Sequence, residues 1–539
     1  MITARRERFF PLLILVLLAV LGTLDSPAVP SRQDPVPTPR YSGTLRIKDY
    51  PQPFNQVFDP ALPSHSFVIE QLYDGLVKFD SHFNPMPGLA EYWTVSDGGS
   101  RITFRLRRGV RFHNGRELTA EDVKYSLERL VENMRGNTYH QYFTRKVVGA
   151  EEYWQGKAAE VSGFRVVDPL TFEIHWTRPY VSGLYLLGMP YCKVLPKDLL
   201  ESQGRGFFDK PVGTGPFKFD EWIRSPRLEV LGVRLERNPF YYERKPYLSA
   251  VEYSPYFTDS QFEEGSVHLV SVTAERILRR LTPELLLESN TLKSFFLALS
   301  CDIPPLDRLE VRKALALGLD KARLAEAYDK LPYAHQVLEN YVPPVMPGFF
   351  PRAHGPITDA RAAKLLLDRF LAQSGGKSLM LTLLFPWPRS EAKSSFAREL
   401  ARQLGALAIE LDVKYLRKPE DIRNVRTPYL KFLEYAMGVP DPENIIVPLY
   451  QSRSAANELG SRYADARLDG LLDLAEVEPS WERRADLFRE AEKILFRDTP
   501  SIPLFSERIR IAVLPQVRGV QIPAMGFTFL DVKDIWLER

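Results

Sequence analysis

Residue types that support catalysis are scattered along this sequence, and they form no motif with a defined chemistry. The eight histidines include no H-E-x-x-H motif and no other close pair, which argues against a zinc site built from protein ligands alone. There is no G-x-S-x-G segment and hence no nucleophile elbow. His113, between Phe112 and Gly115, is interpreted as a turn residue at the end of a strand. We therefore expect no catalytic residues and no metal site.

Two glycine-containing segments match nucleotide-binding loops only in part. Gly213-Thr214-Gly215-Pro216 lacks the third glycine of a dinucleotide loop, and its proline removes an amide donor. Gly376-Lys377-Ser378 has Leu371 where a phosphate loop needs its first glycine, and it runs from helix to strand, the wrong order. The first segment is interpreted as a tight turn. We expect no nucleotide and no other cofactor.

The composition predicts a large globular protein that does not bind nucleic acid. The chain has 539 residues, of which 45% are hydrophobic and 26% charged, so two or three folded units are expected. Lys and Arg total 71 against 68 Asp and Glu, and a net charge of +3 over this length gives no basic field. Cys192 and Cys301 either form a disulfide or remain free thiols.

The first residues predict export from the cytoplasm. Arg5, Arg6 and Arg8 precede an apolar run over 9–24, the order found in secretory signal peptides. We assign residues 1–28 to a signal peptide or an uncleaved membrane anchor, with the cleavage site left open, and residues 29–42 to a proline-rich tether. No cysteine follows the apolar run, so a lipoprotein is not expected.

Strand patterns dominate the first half of the folded chain. Apolar and polar residues alternate in segments that we predict as strands, and Thr119 with Asp122 forms a capping box that begins a helix. The predicted strands are 44–48, 101–109, 171–176, 228–237 and 250–256.

From about residue 306 the pattern changes to alternating helices and strands, which is typical of an α/β unit. Thr358 and Ser480 are each predicted to cap a helix, and the closing strands after Pro500 are predicted to return to the first unit. The other predicted elements are a helix over Leu309–Tyr328, strands over 378–385 and 409–416, and a helix over Glu391–Leu407.

The segment 70–130 resembles the N-terminal signature of extracytoplasmic solute-binding protein family 5, the oligopeptide- and dipeptide-binding proteins of ABC importers. That signature runs Y-x-G-L, P-x-L-A-x-x-W, T-F-x-L-R-x-G-V-x-F-H-x-G and T-A-x-D-V. The matching residues are Tyr73, Gly75, Leu76, Pro87, Leu89, Ala90, Trp93, Thr103 to Leu106, Gly109, Val110, Phe112, His113, Gly115, Thr119, Ala120, Asp122 and Val123. Further similar stretches lie at 213–222, 237–248, 309–321, 439–450 and 481–505.

The resemblance implies an α/β, periplasmic-binding-protein-like fold of cluster C, with two hinged lobes and an extra subdomain in the first. The implied boundaries are 43–80, 191–295 and 501–539 for the first lobe, 81–190 for its subdomain and 296–500 for the second lobe.

The implied function is that of a non-enzymatic receptor, a monomer outside the cytoplasm, that delivers a peptide or similar solute to an ABC permease in the membrane. Oligosaccharides, opines and chelated metals are the other ligands considered. The alternative function is a ligand sensor or scaffold with the same fold that signals to a membrane partner. A hydrolase is a third and less favoured hypothesis.

Two segments of this sequence align with ligand-contacting segments of the family. The first contains Ser64, His65 and Ser66, which are either peptide-pairing residues or a polar loop. The second is the strand that ends at Gly438, where peptide binders resemble W-x-A-D-Y-P-D-P and the first aspartate neutralises the peptide α-ammonium group. The predicted ligand-binding residues of the second segment are Glu434, Tyr435, Ala436, Met437 and Gly438.

In this chain Tyr435 replaces the tryptophan of that motif and Gly438 replaces the aspartate, so the ammonium clamp is missing. Glu434 lies on the same strand face as Gly438 and either compensates for the aspartate or is a solvated charge. Trp387 follows a predicted strand and either lines the cleft or packs against Pro386 and Pro388.

Overall fold

The computed structural model describes residues 38–49, 53–62, 65–134, 136–272, 275–279, 281–329, 334–346, 358–523 and 525–538. The predicted signal peptide (1–28), most of the predicted tether and Ser64 lie outside these residues. None of the helices formed by the described residues is both long and apolar enough to cross a membrane.

The strands of the described residues form one long sheet, a second sheet of four strands and two small two-stranded pairs. In chain order they are β1 (Thr44–Lys48), β2 (Val77–Phe79), β3 (Pro85–Pro87), β4 (Ala90–Ser96), β5 (Arg101–Leu106), β6 (Phe164–Asp168), β7 (Thr171–His175), β8 (Phe217–Arg224), β9 (Val230–Arg237), β10 (Ala250–Tyr253), β11 (Leu269–Ser271), β12 (Leu286–Leu299), β13 (His335–Val337), β14 (Leu379–Pro386), β15 (Ile409–Leu416), β16 (Tyr429–Ala436), β17 (Ser501–Val513), β18 (Val517–Arg518) and β19 (Trp536–Leu537).

The long sheet divides into two lobes that are joined by β12 and β17. Its order is β15-β14-β16-β12-β17-β11-β1-β10-β9-β8, with β13 paired to β17. The first lobe contains β1 and β8–β11, and the second contains β13–β16. β12 and β17 are antiparallel and run through both halves, and their register shifts between Asn290 and Ser294, where they pass from one lobe to the other. These two strands are the hinge.

The helices cover the sheets and fill the second lobe. In chain order they are α1 (Ser66–Leu72), α2 (Ala120–Val131), α3 (Ala150–Trp154), α4 (Gly183–Leu187), α5 (Lys197–Gln203), α6 (Asp259–Glu263), α7 (Glu275–Leu278), α8 (Leu309–Gly318), α9 (Lys321–Tyr328), α10 (Ala360–Ser374), α11 (Glu391–Gly405), α12 (Glu443–Tyr450), α13 (Ala455–Glu458), α14 (Ala466–Val477) and α15 (Trp481–Asp498).

The segment 90–187, from β4 to α4, is called the subdomain here. Its sheet has the order β4-β5-β7-β6. β5 alternates as predicted, so that Ile102 and Phe104 are buried while Arg101 and Thr103 lie on the outer face. The predicted capping box is present at the start of α2, where the backbone amide of Thr119 donates to the Asp122 carboxylate at 3.0 Å.

Local capping explains where two helix predictions were wrong. The chain forms α8 and α9 in place of one helix over Leu309–Tyr328, because the Asp320 carboxylate accepts from the amide of Arg323 at 3.1 Å and begins a new helix. Asp359 caps α10 in the same way, through the amide of Ala362 at 2.9 Å, while the hydroxyl of the predicted cap Thr358 donates to the Leu319 carbonyl. Ser480 caps α15 as predicted.

The hydrophobic core follows this division. Among the described residues, the four largest clusters are one in the first lobe, one in the subdomain and two in the second lobe, on either side of β12 and β16. A smaller cluster lies in each lobe as well. The subdomain cluster also includes Ala61, Leu76 and Val194 of the first lobe and Val439 of the second. Cys192 and Cys301 are both free thiols, and Cys192 is buried in the subdomain cluster.

Candidate functional site

The two lobes present the carboxyl ends of parallel strands next to the hinge. In the first lobe β1, β10 and β11 end there, and in the second lobe β14, β15 and β16 do so. Ligands of open α/β sheets bind outside such strand ends, where loops supply polar groups. A cavity of ≈ 380 Å³ lies at this place and is lined from both lobes: Asp49 and Ser271 from the first, Asp329 and His335 from the second, and Glu507 to Arg510 from β17.

A row of alternating charges crosses the second lobe beside this cavity. Lys293 Nζ lies 3.8 Å from Glu507 Oε1 and 3.9 Å from Glu434 Oε2. Lys393 Nζ lies 3.6 Å from Glu434 Oε1, and the Tyr328 hydroxyl donates to the same carboxylate at 3.3 Å. Glu434 is therefore balanced by Lys293 of the hinge strand β12 and by Lys393 of its own lobe. Any role in replacing the missing aspartate would require it to exchange these partners for a ligand.

Arg389 lies at the same edge of the second lobe and was not singled out in the sequence. It is the third residue after β14, and its guanidinium carbon lies 4.9 Å from the ring centroid of Tyr415. It forms no ion pair within the described part of the chain. Trp387, two residues earlier, is 57% exposed. An unneutralised cation beside an exposed indole suits a ligand that carries a carboxylate and an apolar or flat group. The segment Pro386-Trp387-Pro388-Arg389 after a buried strand was the available signal.

Gly438 is covered by Tyr142 of the subdomain and by Tyr191, which follows the subdomain in the chain. The Tyr191 hydroxyl donates to the Gly438 carbonyl at 3.3 Å, and the rings of Tyr142 and Tyr191 are parallel with centroids 5.8 Å apart. A Cβ on Gly438 would lie 2.9 Å from Cζ of Tyr142 and closer still to its hydroxyl oxygen. A side chain at 438 would therefore meet Tyr142 in this arrangement of the lobes.

The residues before Gly438 have different surroundings. The Tyr435 hydroxyl donates to the Asn444 carbonyl at 2.9 Å, which ties the end of β16 to α12. Met437 is buried in the core of the second lobe, whereas Ala436 is exposed. Of Tyr435, Ala436 and Met437, Ala436 is the exposed residue.

The imidazole of His65 is surrounded by groups of the first lobe. Its Nε2 accepts from the amide of Asn55 at 2.9 Å, its Nδ1 lies 3.3 Å from the Tyr253 hydroxyl, and its ring stacks on Phe54 with centroids 4.8 Å apart. Burial lowers the pKa of His65 to about 4. Tyr253 in turn donates to the Asp49 carboxylate at 3.1 Å. His65 thus links the loop before α1 to the cavity wall, and Ser66 begins α1 half-buried.

Two lobes on one continuous sheet, joined by two strands and facing one another at their strand ends, define a solute-binding receptor. The chain belongs to the bacterial extracellular solute-binding proteins of family 5, whose model for the middle region matches residues 84–457. The family and the fold predicted from the sequence are thereby confirmed.

Individual relatives are distant but cover almost the whole chain. The dipeptide-binding protein of Escherichia coli (strain K12) is 24% identical over 510 residues, which is 88% of this chain and 91% of that protein. Heme-binding protein A of Haemophilus influenzae (strain ATCC 51907 / DSM 11121 / KW20 / Rd) is 26% identical over 499 residues, 86% of this chain and 88% of that protein. The structure of HbpA2 from Haemophilus parasuis has a TM-score of 0.77 at 22% identity and covers 92% of this chain and all of that one.

Proposed function

We propose that this protein is an extracytoplasmic receptor that captures a peptide or peptide-sized solute between its lobes and delivers it to an ABC import permease. It acts as a monomer, performs no bond-making chemistry, and is exported by the N-terminal segment 1–28. Its first lobe comprises residues 43–80, 191–295 and 501–539, and its second lobe comprises residues 296–500. Residues 81–190 form the extra subdomain inserted in the first lobe.

The cavity lined from both lobes carries this proposal. Asp49 and Ser271 of the first lobe and His335 of the second line one space, so a ligand there contacts both sides of the hinge. A ligand with contacts to both lobes favours the arrangement in which those contacts are made together. A permease that recognises this arrangement would thereby distinguish loaded from empty receptor. No observation on the described residues favours a signalling role.

The names of the relatives do not identify the ligand, because a dipeptide-binding protein is 24% identical to this chain and a heme-binding protein 26% identical. The chemistry of residues that follow the strand ends of the second lobe narrows the choice of ligand. Arg389 supplies a cation for a ligand carboxylate, Trp387 supplies an exposed ring face, and Gly438 supplies no anion for an ammonium group. We infer a ligand held by its carboxylate, with a short peptide as the first candidate.

Native mass spectrometry of the protein purified without denaturation is the direct test. A retained mass that matches peptides, and that is displaced by added peptides, supports the proposal. Deletion of the gene should then abolish uptake of the same peptides. A retained porphyrin or sugar would overturn the peptide assignment. Uptake that persists in the deletion strain, or hydrolysis of a peptide panel by the pure protein, would overturn the receptor role.

A further inference from the structure

The subdomain and the second lobe share a buried interface outside the ligand cavity. Val439 of the second lobe is 1% exposed and belongs to the core of the subdomain. Nearby, the rings of Tyr185 from the subdomain and Trp481 from α15 meet edge to face with centroids 5.0 Å apart. The interface thus has an apolar part that excludes water from the charges beside it.

Arg484 lies at the centre of those charges and is 1% exposed. It forms a two-point pair with Asp441, at 2.7 and 2.8 Å, and donates to Glu443 at 2.9 Å, all within the second lobe. It also donates across the interface to the Ser182 hydroxyl oxygen at 2.9 Å, and Ser182 donates in turn to Glu443 at 3.0 Å. One guanidinium therefore binds groups of both bodies.

Lys146 of the subdomain completes the cluster. Its Nζ donates to Glu443 Oε1 at 2.9 Å and lies 3.7 Å from the ring centroid of Tyr180. Burial alone would lower the pKa of Lys146, but Tyr180 and Glu443 hold it above its ordinary value. Two carboxylates, Asp441 and Glu443, are thus balanced by two cations. Removal of one member leaves a buried charge without its partner, which is the most destabilising way to disturb such a group.

We propose that Lys146, Ser182, Asp441, Glu443 and Arg484 form a latch that holds the subdomain against the second lobe and thereby sets the arrangement of the lobes in the ligand-free protein. The core of the subdomain is continuous with the first lobe through Ala61, Leu76 and Val194, whereas the second lobe is joined to the first by β12 and β17. Rotation of the second lobe about these strands therefore has to separate Lys146 and Ser182 from their partners.

The test compares Lys146→Met with Arg178→Met in the ligand-free full-length protein. Lys146→Met keeps most of the apolar length of the side chain and removes the charge. Arg178 pairs with Glu476 at 2.6 Å at the rim of the same interface, but its side chain is 56% exposed, so its loss should have little effect. Small-angle scattering reports the separation of the lobes. Hydrogen exchange measures how well the backbone amides of Asn444 and Ile446 are protected. These amides donate to the carbonyls of Asp441 and Pro442 at the start of α12.

Lys146→Met is expected to change the scattering distance distribution and to speed exchange of those two amides at least tenfold, while Arg178→Met matches the wild type. Ser182→Ala, which removes only the bridging hydroxyl, should show the same change to a smaller extent. If Lys146→Met does not fold, Ser182→Ala provides the test of the latch. Folded Lys146→Met or Ser182→Ala proteins with wild-type scattering and exchange would overturn the latch. Since no ligand is used, this result is independent of the proposed receptor role.

Discussion

A side chain at position 438 should be tolerated only if Tyr142 is shortened. We expect Gly438→Ala to be destabilising in the wild-type background and nearly neutral in a Tyr142→Ala background. The reason is steric: the added Cβ would lie 2.9 Å from Tyr142 Cζ, and the ring cannot retreat freely because it is stacked on Tyr191. The backbone of Gly438 lies outside the left-handed region, so an alanine there is strained only by its neighbours.

The magnitude follows from what overpacking costs in a well-packed site. One extra carbon that forces a neighbouring ring or backbone to move costs about 1–3 kcal/mol of unfolding free energy. In the Tyr142→Ala background, Gly438→Ala should instead leave the unfolding free energy unchanged or raise it by about 0.5 kcal/mol, because alanine restricts the conformations of the unfolded chain. The coupling energy between the two positions should therefore be about 2 kcal/mol.

Urea unfolding of the four proteins of this double-mutant cycle measures that coupling. Gly470→Ala is the matched control: Gly470 lies inside α14, and its Cβ would meet nothing within 4 Å. Alanine at 470 should stabilise the protein by about 0.5–1 kcal/mol through helix propensity. Equal costs of Gly438→Ala with and without Tyr142 would refute the claim that this ring occupies the space beside Gly438.

Three further results are expected. Arg389→Gln should weaken binding of a free-acid ligand about tenfold in calorimetry but leave the C-terminally amidated form unaffected, and an equal loss for both would contradict a carboxylate contact. Burial lowers the pKa of His65 and His268 to about 4. Between pH 6.5 and 4 the unfolded chain therefore binds more protons than the folded protein. As the pH is lowered through that window, the unfolding free energy should fall by at most about 3 kcal/mol per histidine. A His268→Gln variant with an unchanged pH profile would exclude that residue as a source. Glu434→Gln should change ligand affinity less than twofold. It should lower the unfolding free energy by about 1 kcal/mol, because Lys393 loses its counter-charge. A large loss of affinity with unchanged stability would instead indicate that Glu434 contacts the ligand directly.

Local patterns identified the helices and strands but placed some boundaries wrongly. The alternation of β5, the capping box of α2 and the cap of α15 are encoded within a few residues, and each was predicted from them. The break between α8 and α9 was missed because apolar residues continue at helical spacing through it, although Asp320 was a visible cap signal.

The candidate site was less accessible to such reasoning. Glu434 was identified by its position on a strand, yet its neutralisation depends on Lys293 of β12 and Lys393 of α11, which only the packing of the lobe brings close. Arg389 was overlooked because its distinguishing property, the lack of an ion-pair partner within the described residues, is a fact about its surroundings and not about its own segment.

The sequence by itself determined the family, the α/β character and most of the secondary structure, because signature motifs, caps and hydrophobic periodicity act over a few residues. Only the tertiary structure decided which charges meet. Arg484 and Ser182 are separated by 302 residues, and Lys146 and Glu443 by 297. Such contacts form only where separately encoded elements pack together and exclude water, and no pattern within one segment specifies where its partner will lie.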